Sequence, residues 1–306
     1  MRVTEFAEKY DMFPREGKVL CALSGGRDSM CLLHILLELA PQYGFSVACA
    51  HYNHRLRGEE SERDARFVEE YCRKLGIPVH VGCGDVMAHA REKGLSVEEA
   101  ARELRYAFLE RTADEIGAQR IATAHNAEDN AETVLLNLIR GTGLSGLGGI
   151  PPVRGRIIRP LLKVTRAEIE SYLKEKGIPH VEDSTNARDD YFRNRLRHGV
   201  LPLLIELNPA FVQNVSRAAD LLREDEEFIA GLARDFIREN MSRNGESAAL
   251  PAKTLSELPD PVSARVFRMM AGGGLSAVHI EALRRLCSSG DPSASVDLPG
   301  MRVIRE

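Results

Sequence analysis

The sequence predicts an α/β protein: a doubly wound, mostly parallel five-stranded sheet, followed by a smaller, mainly helical C-terminal domain. Three observations point there. Short apolar runs alternate with helix-period segments through the first half of the chain. Runs such as VLCAL and IATA are apolar at successive positions, as in strands covered on both faces. After residue 162 the strand rhythm stops and helical periodicity takes over. With 306 residues and a 43% hydrophobic share, the chain can bury a sizeable core.

In chain order, strands are expected at 18–23, 45–53, 79–82, 120–124 and 157–162, with helices at 29–39, 60–75, 97–116 and 128–140 between them. Thr165 with Glu168 three residues on reads as a capping box, opening a helix that ends near Gly177. The polar stretch EDSTNARDD leads to a helix from about Tyr191 that Pro202 and Pro209 interrupt. A long helix to about Asn240 and helices at 262–270 and 277–288 complete the chain. The domain boundary is placed near Pro209, giving a catalytic domain over 1–209 and a helical domain over 210–306. Ligands of doubly wound sheets bind beyond the carboxyl ends of the strands, so each strand-to-helix junction is a place to look for chemistry.

Charge and composition narrow the partners. The 41 Lys and Arg against 45 Asp and Glu leave a net charge of −4, which excludes a protein that coats nucleic acid by charge alone. A nucleic-acid site has to be a local patch. Residues 151–217 supply one, with 12 basic and 8 acidic side chains, and arginine dominates the chain's cations at 33 Arg to 8 Lys. The six cysteines show no C-x-x-C spacing, so neither a zinc ribbon nor a redox pair is written here. No signal-peptide pattern opens the chain and no apolar run approaches a membrane span. A soluble, reducing, cytoplasmic setting without a membrane partner is expected.

The first junction carries the strongest signal. Ser24, Gly25, Gly26, Arg27, Asp28 and Ser29 follow a strand and open a helix. Two glycines allow backbone N–H groups to approach an anion, two hydroxyls can donate, and the helix presents its positive end. This is a phosphate cradle, although not the G-x-x-x-x-G-K-[ST] loop, because no Lys-Ser or Lys-Thr follows. The plain alternative is a tight turn with a polar cap.

Further candidates sit at other junctions. Asp129 and Glu132 are three apart on the helix after IATA, so they share a face at the same sheet edge. They suit an ammonium group, although acids in a first turn also simply favour the helix dipole. Arg102 and Arg105 lie on the third helix, where surface pairs with Glu98 and Glu99 compete with a role in neutralising phosphate charge; Arg102 is taken as the catalytic one. Arg195, in the run YFRNRLR, is read as a phosphate contact against the alternative of a solvated helix face. His51 and His125 are placed in the nucleotide pocket, since H-x-x-H around His51 lacks the H-E-x-x-H spacing of a zinc site. The G-x-G-x-x-G spelled by 141–146 follows a helix, so it fails the context of a dinucleotide fingerprint.

SGGRDS resembles the SGGxDS signature of the PP-loop ATP pyrophosphatases. Other segments are similar to the bacterial tRNA(Ile)-lysidine synthases: HYNHRLR at 51–57, EAARELRY at 99–106, THE run AHNAEDNAET at 124–133 with RGTGL at 140–144, RPLL at 159–162, and DSTN at 183–186 through YFRNRLR at 191–197. That resemblance covers about residues 18–205 and weakens beyond. It implies ATP and Mg²⁺ as cofactors, with Asp28 holding the metal on the leaving pyrophosphate. It implies that the C2 carbonyl oxygen of the wobble cytidine in a CAU-anticodon isoleucine tRNA is adenylated, and that free L-lysine then displaces AMP. The helical domain would contribute to tRNA binding, and a homodimer is compatible with the sequence. A PP-loop tRNA thiolase is the nearest rival, disfavoured by the missing C-x-x-C; a non-catalytic nucleotide- or tRNA-binding module is the other, disfavoured by Asp28, Asp129 and Glu132 being present together.

Overall fold

A computed structural model describes residues 3–56, 58–181, 191–245 and 247–305. Two compact units emerge, Met1–Asp220 and Leu221–Glu306. The first contains α1 (Val3–Lys9), β1 (Gly17–Ala22), α2 (Arg27–Tyr43), β2 (Phe45–Asn53), α3 (Glu59–Leu75), β3 (Val79–Cys83), α4 (Val86–Lys93), α5 (Val97–Ile116), β4 (Arg120–Ala122) and α6 (Ala127–Arg140). It continues through α7 (Leu144–Leu147), β5 (Val153–Arg154), β6 (Ile157–Ile158), α8 (Arg166–Lys176), α9 (Tyr191–Arg195), a π-helical turn (Leu196–Val200) and α10 (Leu201–Leu207). The unit division falls inside α11 (Phe211–Asn240), past the proline at which the sequence boundary was placed.

The sheet order is β3-β2-β1-β4-β6-β5, with every pair parallel except β5–β6. The expected five strands are therefore corrected to six. The additional strand is a two-residue edge, Val153–Arg154, turned onto β6 through Gly155 at φ 57°, too short to show any periodicity in sequence. Strands 4 and 6 are shorter than expected, ending at Ala122 and Ile158, because the chain leaves the sheet to deliver Thr123–Asn126 and Arg159 to its edge.

Strand alternation explains the two-sided core. Along β1, Val19 and Cys21 join the cluster formed with α1, α2, α3 and α8, whereas Leu20 joins Ala48, Ala50, Phe108, Leu109 and Ile121 under α5. Helices on both faces are what a parallel sheet requires. Strand order reverses between β1 and β4, so the crevice of this sheet opens at the carboxyl end of β1.

Caps fix the helices that carry the site. Thr165 and Glu168 form the expected capping box at α8, and Gly177 ends that helix in the left-handed region at φ 62°. Asn126 and Asp129 form another at α6. Pro202 does not break the helix as expected; it lies just past the π-helical turn, and the backbone stays helical through Val200 and Leu201. The sequence reading also omitted α1 and α4.

The second unit contains the rest of α11, α12 (Ala252–Ser256), α13 (Asp260–Met270) and α14 (Ala277–Ser288), around a core including Phe236, Val266, Phe267, Ile280 and Leu283. It also holds two antiparallel hairpins, β7 (Ser242–Asn244) with β8 (Ser247–Ala249), and β9 (Ser295–Leu298) with β10 (Met301–Ile304). Among the described residues, no helix is long and apolar enough to cross a membrane.

Thr165→Ala removes an N-cap that holds α8, and with it Arg166, against the sheet edge. Urea unfolding should show a loss of about 1 kcal/mol; an unchanged midpoint would mean the cap contributes nothing to the folded state.

Candidate active site

A cleft of about 1220 Å³ lies beyond the carboxyl ends of β1, β2 and β4. The Ser24–Ser29 turn forms its floor. Ser29 Oγ donates to the Gly26 carbonyl at 2.9 Å and accepts from the Ser24 backbone N–H at 3.2 Å, while the two hydroxyls lie 3.0 Å apart. Gly25 adopts φ 89°, and a Cβ there would meet Val68 at 3.2 Å, so both conformation and space call for glycine. Its carbonyl accepts the Val181 N–H at 2.9 Å, which ties the segment after α8 to the turn. The N-cap of α2, Gly26, makes no side-chain cap bond, leaving the first-turn N–H groups to an anion. Arg27, expected on the nucleotide, lines the cleft but ion-pairs with Glu170 of α8.

Asp28 stands in the first turn of α2 and faces the cleft. Its Oδ2 accepts from Asn126 Nδ2 at 3.2 Å, whereas its buried Oδ1 has no hydrogen-bond partner. Burial, then the nearby Asp129 charge, raises its pKa above the ordinary aspartate range; Arg166, Arg27 and the Asn126 bond offset only part. An ionised carboxylate with an unmatched buried oxygen is the kind of group a hard cation satisfies. Among the described residues no three His, Cys, Asp or Glu side chains converge as a metal cage.

His51, 5% exposed, donates from Nδ1 to the Leu23 carbonyl at 2.9 Å, which leaves Nε2 as an acceptor. Burial lowers its pKa despite the opposing effects of the Leu23 carbonyl, Asp64 and Glu69. His125 lies 3.2 Å from the Thr123 hydroxyl through Nδ1. Burial, followed by Arg159, Arg105, Arg102 and Arg193, drives it well below the usual imidazole value, so it is neutral at pH 7.

Asp129 and Glu132 do share one face of α6, and three guanidinium groups meet them there. Arg197 reaches Glu132 Oε1 at 2.8 Å through Nε, and through Nη2 it reaches Glu132 Oε2 at 3.0 Å and Asp129 Oδ1 at 2.9 Å. Arg166 Nη2 lies 3.1 Å from Glu132 and 3.4 Å from Asp129, and Arg193 Nε lies 3.3 Å from Glu132. The Glu132 side chain is 0% exposed, against 14% for Asp129. Asp129 Oδ2 also accepts the Asn126 backbone N–H at 3.1 Å.

Three arginines of this site are not singled out by the sequence. Arg193 and Arg197 flank the chosen Arg195, which is exposed; their i,i+4 spacing, which puts them on one face, was the available signal. Arg166 directly follows the Thr165 cap, at a junction on the same edge. On α5 it is Arg105 that lines the cleft, while Arg102 is exposed and lies 4.9 Å from the Tyr106 ring. Arg57 and the 183–186 stretch lie outside the described residues.

Residues 1–204 match the family model of the PP-loop domain, and residues 250–306 match the TilS substrate binding domain. Sheet, turn and match together define a PP-loop ATP-binding protein. The tRNA(Ile)-lysidine synthase of Geobacillus kaustophilus is 37% identical over 316 residues, covering 99% of this chain and 68% of the relative. That of Bacteroides thetaiotaomicron is 39% identical over 305 residues, covering 100% and 69%. The chain belongs to the tRNA(Ile)-lysidine synthase family of ATP-dependent ligases, and it spans about two thirds of the length of these relatives. Among solved structures, the U34-tRNA thiolase NcsA from Methanococcus maripaludis shares the fold, with TM-score 0.61 and 18% identity, over 72% of this chain and 77% of that one.

Glu132→Gln should destabilise the protein by about 3 kcal/mol in urea unfolding, because it takes one charge from a buried ion-pair group and leaves guanidinium groups uncompensated. Asp129→Asn, nearer to water, should cost less. Equal small losses would show that solvent screens the whole group.

Proposed function

We propose that this chain ligates free L-lysine to C2 of the wobble cytidine of a CAU-anticodon isoleucine tRNA at the expense of ATP, through an adenylated cytidine, releasing pyrophosphate and AMP. One observation carries this reading: a single cleft holds the phosphate turn and the Asp28 and Asp129 carboxylates, with Glu132 buried one helical turn behind Asp129. Phosphates, a cation and an ammonium group all have a complementary partner there.

In the first step the C2 carbonyl oxygen attacks the α-phosphorus and pyrophosphate leaves. The Ser24–Ser29 turn and the N-terminus of α2 bind and orient the phosphates. Arg105, on the cleft wall, lies where it can neutralise negative charge developing on the α-phosphate. Asp28, through its unpartnered oxygen, would hold Mg²⁺ with Asp129 close by; bound there, the ion would neutralise the leaving pyrophosphate.

In the second step the ε-amine of lysine forms the bond to C2, and AMP leaves carrying the former carbonyl oxygen. Asp129, on the cleft wall, orients the ammonium group and takes its proton, backed by the buried Glu132. Both are already bonded to guanidinium groups, so lysine would take the place of Arg197, which lines the cleft beside Asp129. The cysteines support an amine over a sulfur nucleophile: none of the six lines the cleft, Cys21, Cys31, Cys49 and Cys72 are buried in the core, and burial, with Asp28 and Glu38, pushes the Cys31 thiol up to about 12, while the exposed Cys83 lies outside the cleft.

Incubation with ATP, Mg²⁺, labelled lysine and the CAU isoleucine tRNA should give one AMP and one pyrophosphate per lysine incorporated. Nucleotide turnover without label in intact tRNA would overturn the assignment. Asp129→Asn should raise the KM for lysine by about tenfold, the loss of one charge-assisted contact, with little change in the KM for ATP; equal changes would indicate a distorted fold.

Asp28→Asn should lower turnover about a hundredfold or more while raising the melting temperature of the ligand-free protein. The sign follows from linkage. With its pKa raised on folding, Asp28 binds a proton more tightly in the folded protein, so its stabilising contribution is present at low pH. That contribution is lost as pH rises through the raised folded value. At neutral pH the ionised group therefore opposes folding, and the neutral amide relieves it. A lower melting temperature in this variant would contradict the burial argument.

A further inference from the structure

At the carboxyl end of β6, beside the cleft, arginines gather around one aromatic ring. Arg102 and Arg105 of α5 lie 4.9 and 5.5 Å from the Tyr106 ring centroid, and Arg154 of β5 lies 5.4 Å from it. Arg159, which follows β6 and is 2% exposed, donates through Nη1 to the Pro151 carbonyl, while its buried Nε has no hydrogen-bond partner. The Tyr106 hydroxyl is likewise buried without a hydrogen bond of normal geometry. Glu98, also on the cleft wall, offsets part of the charge on Arg105.

Such a group is electrostatically incomplete. Cation–π attraction offsets part of the mutual repulsion, but four partly desolvated cations favour an anion strongly. The neighbouring groups register that field. Burial would raise the Tyr106 phenol, yet Arg102, Arg105 and Arg159 pull it below its usual value. Burial, reinforced by Arg102, lowers Arg105 as well.

We infer that Arg102, Arg154 and Arg159 of this group clamp a backbone phosphodiester of the RNA strand, at a subsite separate from the phosphate turn, with Arg105 between them and the nucleotide. The inference rests on the RNA substrate read above. Placement distinguishes the strand from the nucleotide. The phosphate turn follows β1 and has its own donors, whereas this group lies beyond β4, on the β6–β5 side of the sheet. It is also graded: Arg154 and Arg102 are exposed, Arg105 lines the cleft, and Arg159 is buried behind it. A polymer passing from solvent into the cleft meets all of these levels. Planar guanidinium groups, each able to donate two parallel bonds, suit phosphodiester oxygens.

Arg154→Ala and Arg102→Ala test the clamp, since both side chains are exposed and their truncation leaves the core intact. Filter binding of the tRNA transcript should show each variant weakened about tenfold, with the slope of log K against log salt shallower by about 0.7 to 0.9 per arginine. ATP affinity, by equilibrium dialysis, should match the parent. If ATP affinity falls with tRNA affinity, the group reads nucleotide phosphate and the clamp is overturned; unchanged tRNA binding also overturns it. Lysine transfer on the same samples separates the two readings. A parent that binds tRNA without transferring lysine would defeat the ligase reading alone, and variants that bind tRNA like an active parent would defeat the clamp alone.

Discussion

The site is held together at Glu132, a carboxylate wholly removed from water and bonded by three guanidinium groups from two separate stretches of chain. Arg166 comes from the first turn of α8, Arg193 from α9 and Arg197 from the π-helical turn. None of these segments is brought to α6 by the sheet itself. A buried acid makes a poor net contribution to stability once its desolvation is counted, but leaving it unmatched costs several kcal/mol, so the partners are held in place. The π turn fits that requirement, since an extra residue in a helical turn re-aims the side chains that follow. Asp129, one turn away, shares two of the same arginines and opens toward the cleft.

Charge is sorted across the cleft. Asp28, Asp129 and Glu132 are concentrated between β1 and α8, while Arg105 and Arg159 lie with His125 near β4 and β6. The basic stretch of an otherwise acidic chain ends up divided between these two places: Arg154 and Arg159 in the cationic group, Arg166, Arg193 and Arg197 on the acids. The partial burial that makes Asp28 costly as an ionised group also leaves one of its oxygens free. Function and stability therefore pull in opposite directions at this residue, as is common at sites that bind charged ligands.

Much of this could be read from the residues. The strand-turn-helix context of Ser24–Ser29, the Thr165 capping box and the helix at Val97–Ile116 follow from local rules of spacing and capping, and they appear as expected. The Val153–Arg154 strand was not legible, because two residues carry no period and their pairing is decided by a distant neighbour. The arginines were half legible. The basic segment was visible, but choosing Arg195 over Arg193 and Arg197 required knowing which face of a short helix meets α6. Likewise, α5 alone does not reveal that Arg105 is turned to the cleft and Arg102 outward. Asp28's unpaired oxygen is a tertiary property that no spacing could disclose.

The chemistry turns on which oxygen leaves with AMP. A CAU isoleucine tRNA carrying ¹⁸O at C2 of the wobble cytidine, incubated with ATP, Mg²⁺ and lysine, tests this directly by mass spectrometry of the released AMP. If the cleft adenylates the carbonyl oxygen and lysine then displaces it, every AMP formed in step with lysidine carries one ¹⁸O. Unlabelled AMP accompanying lysine incorporation would contradict the adenylated-cytidine route.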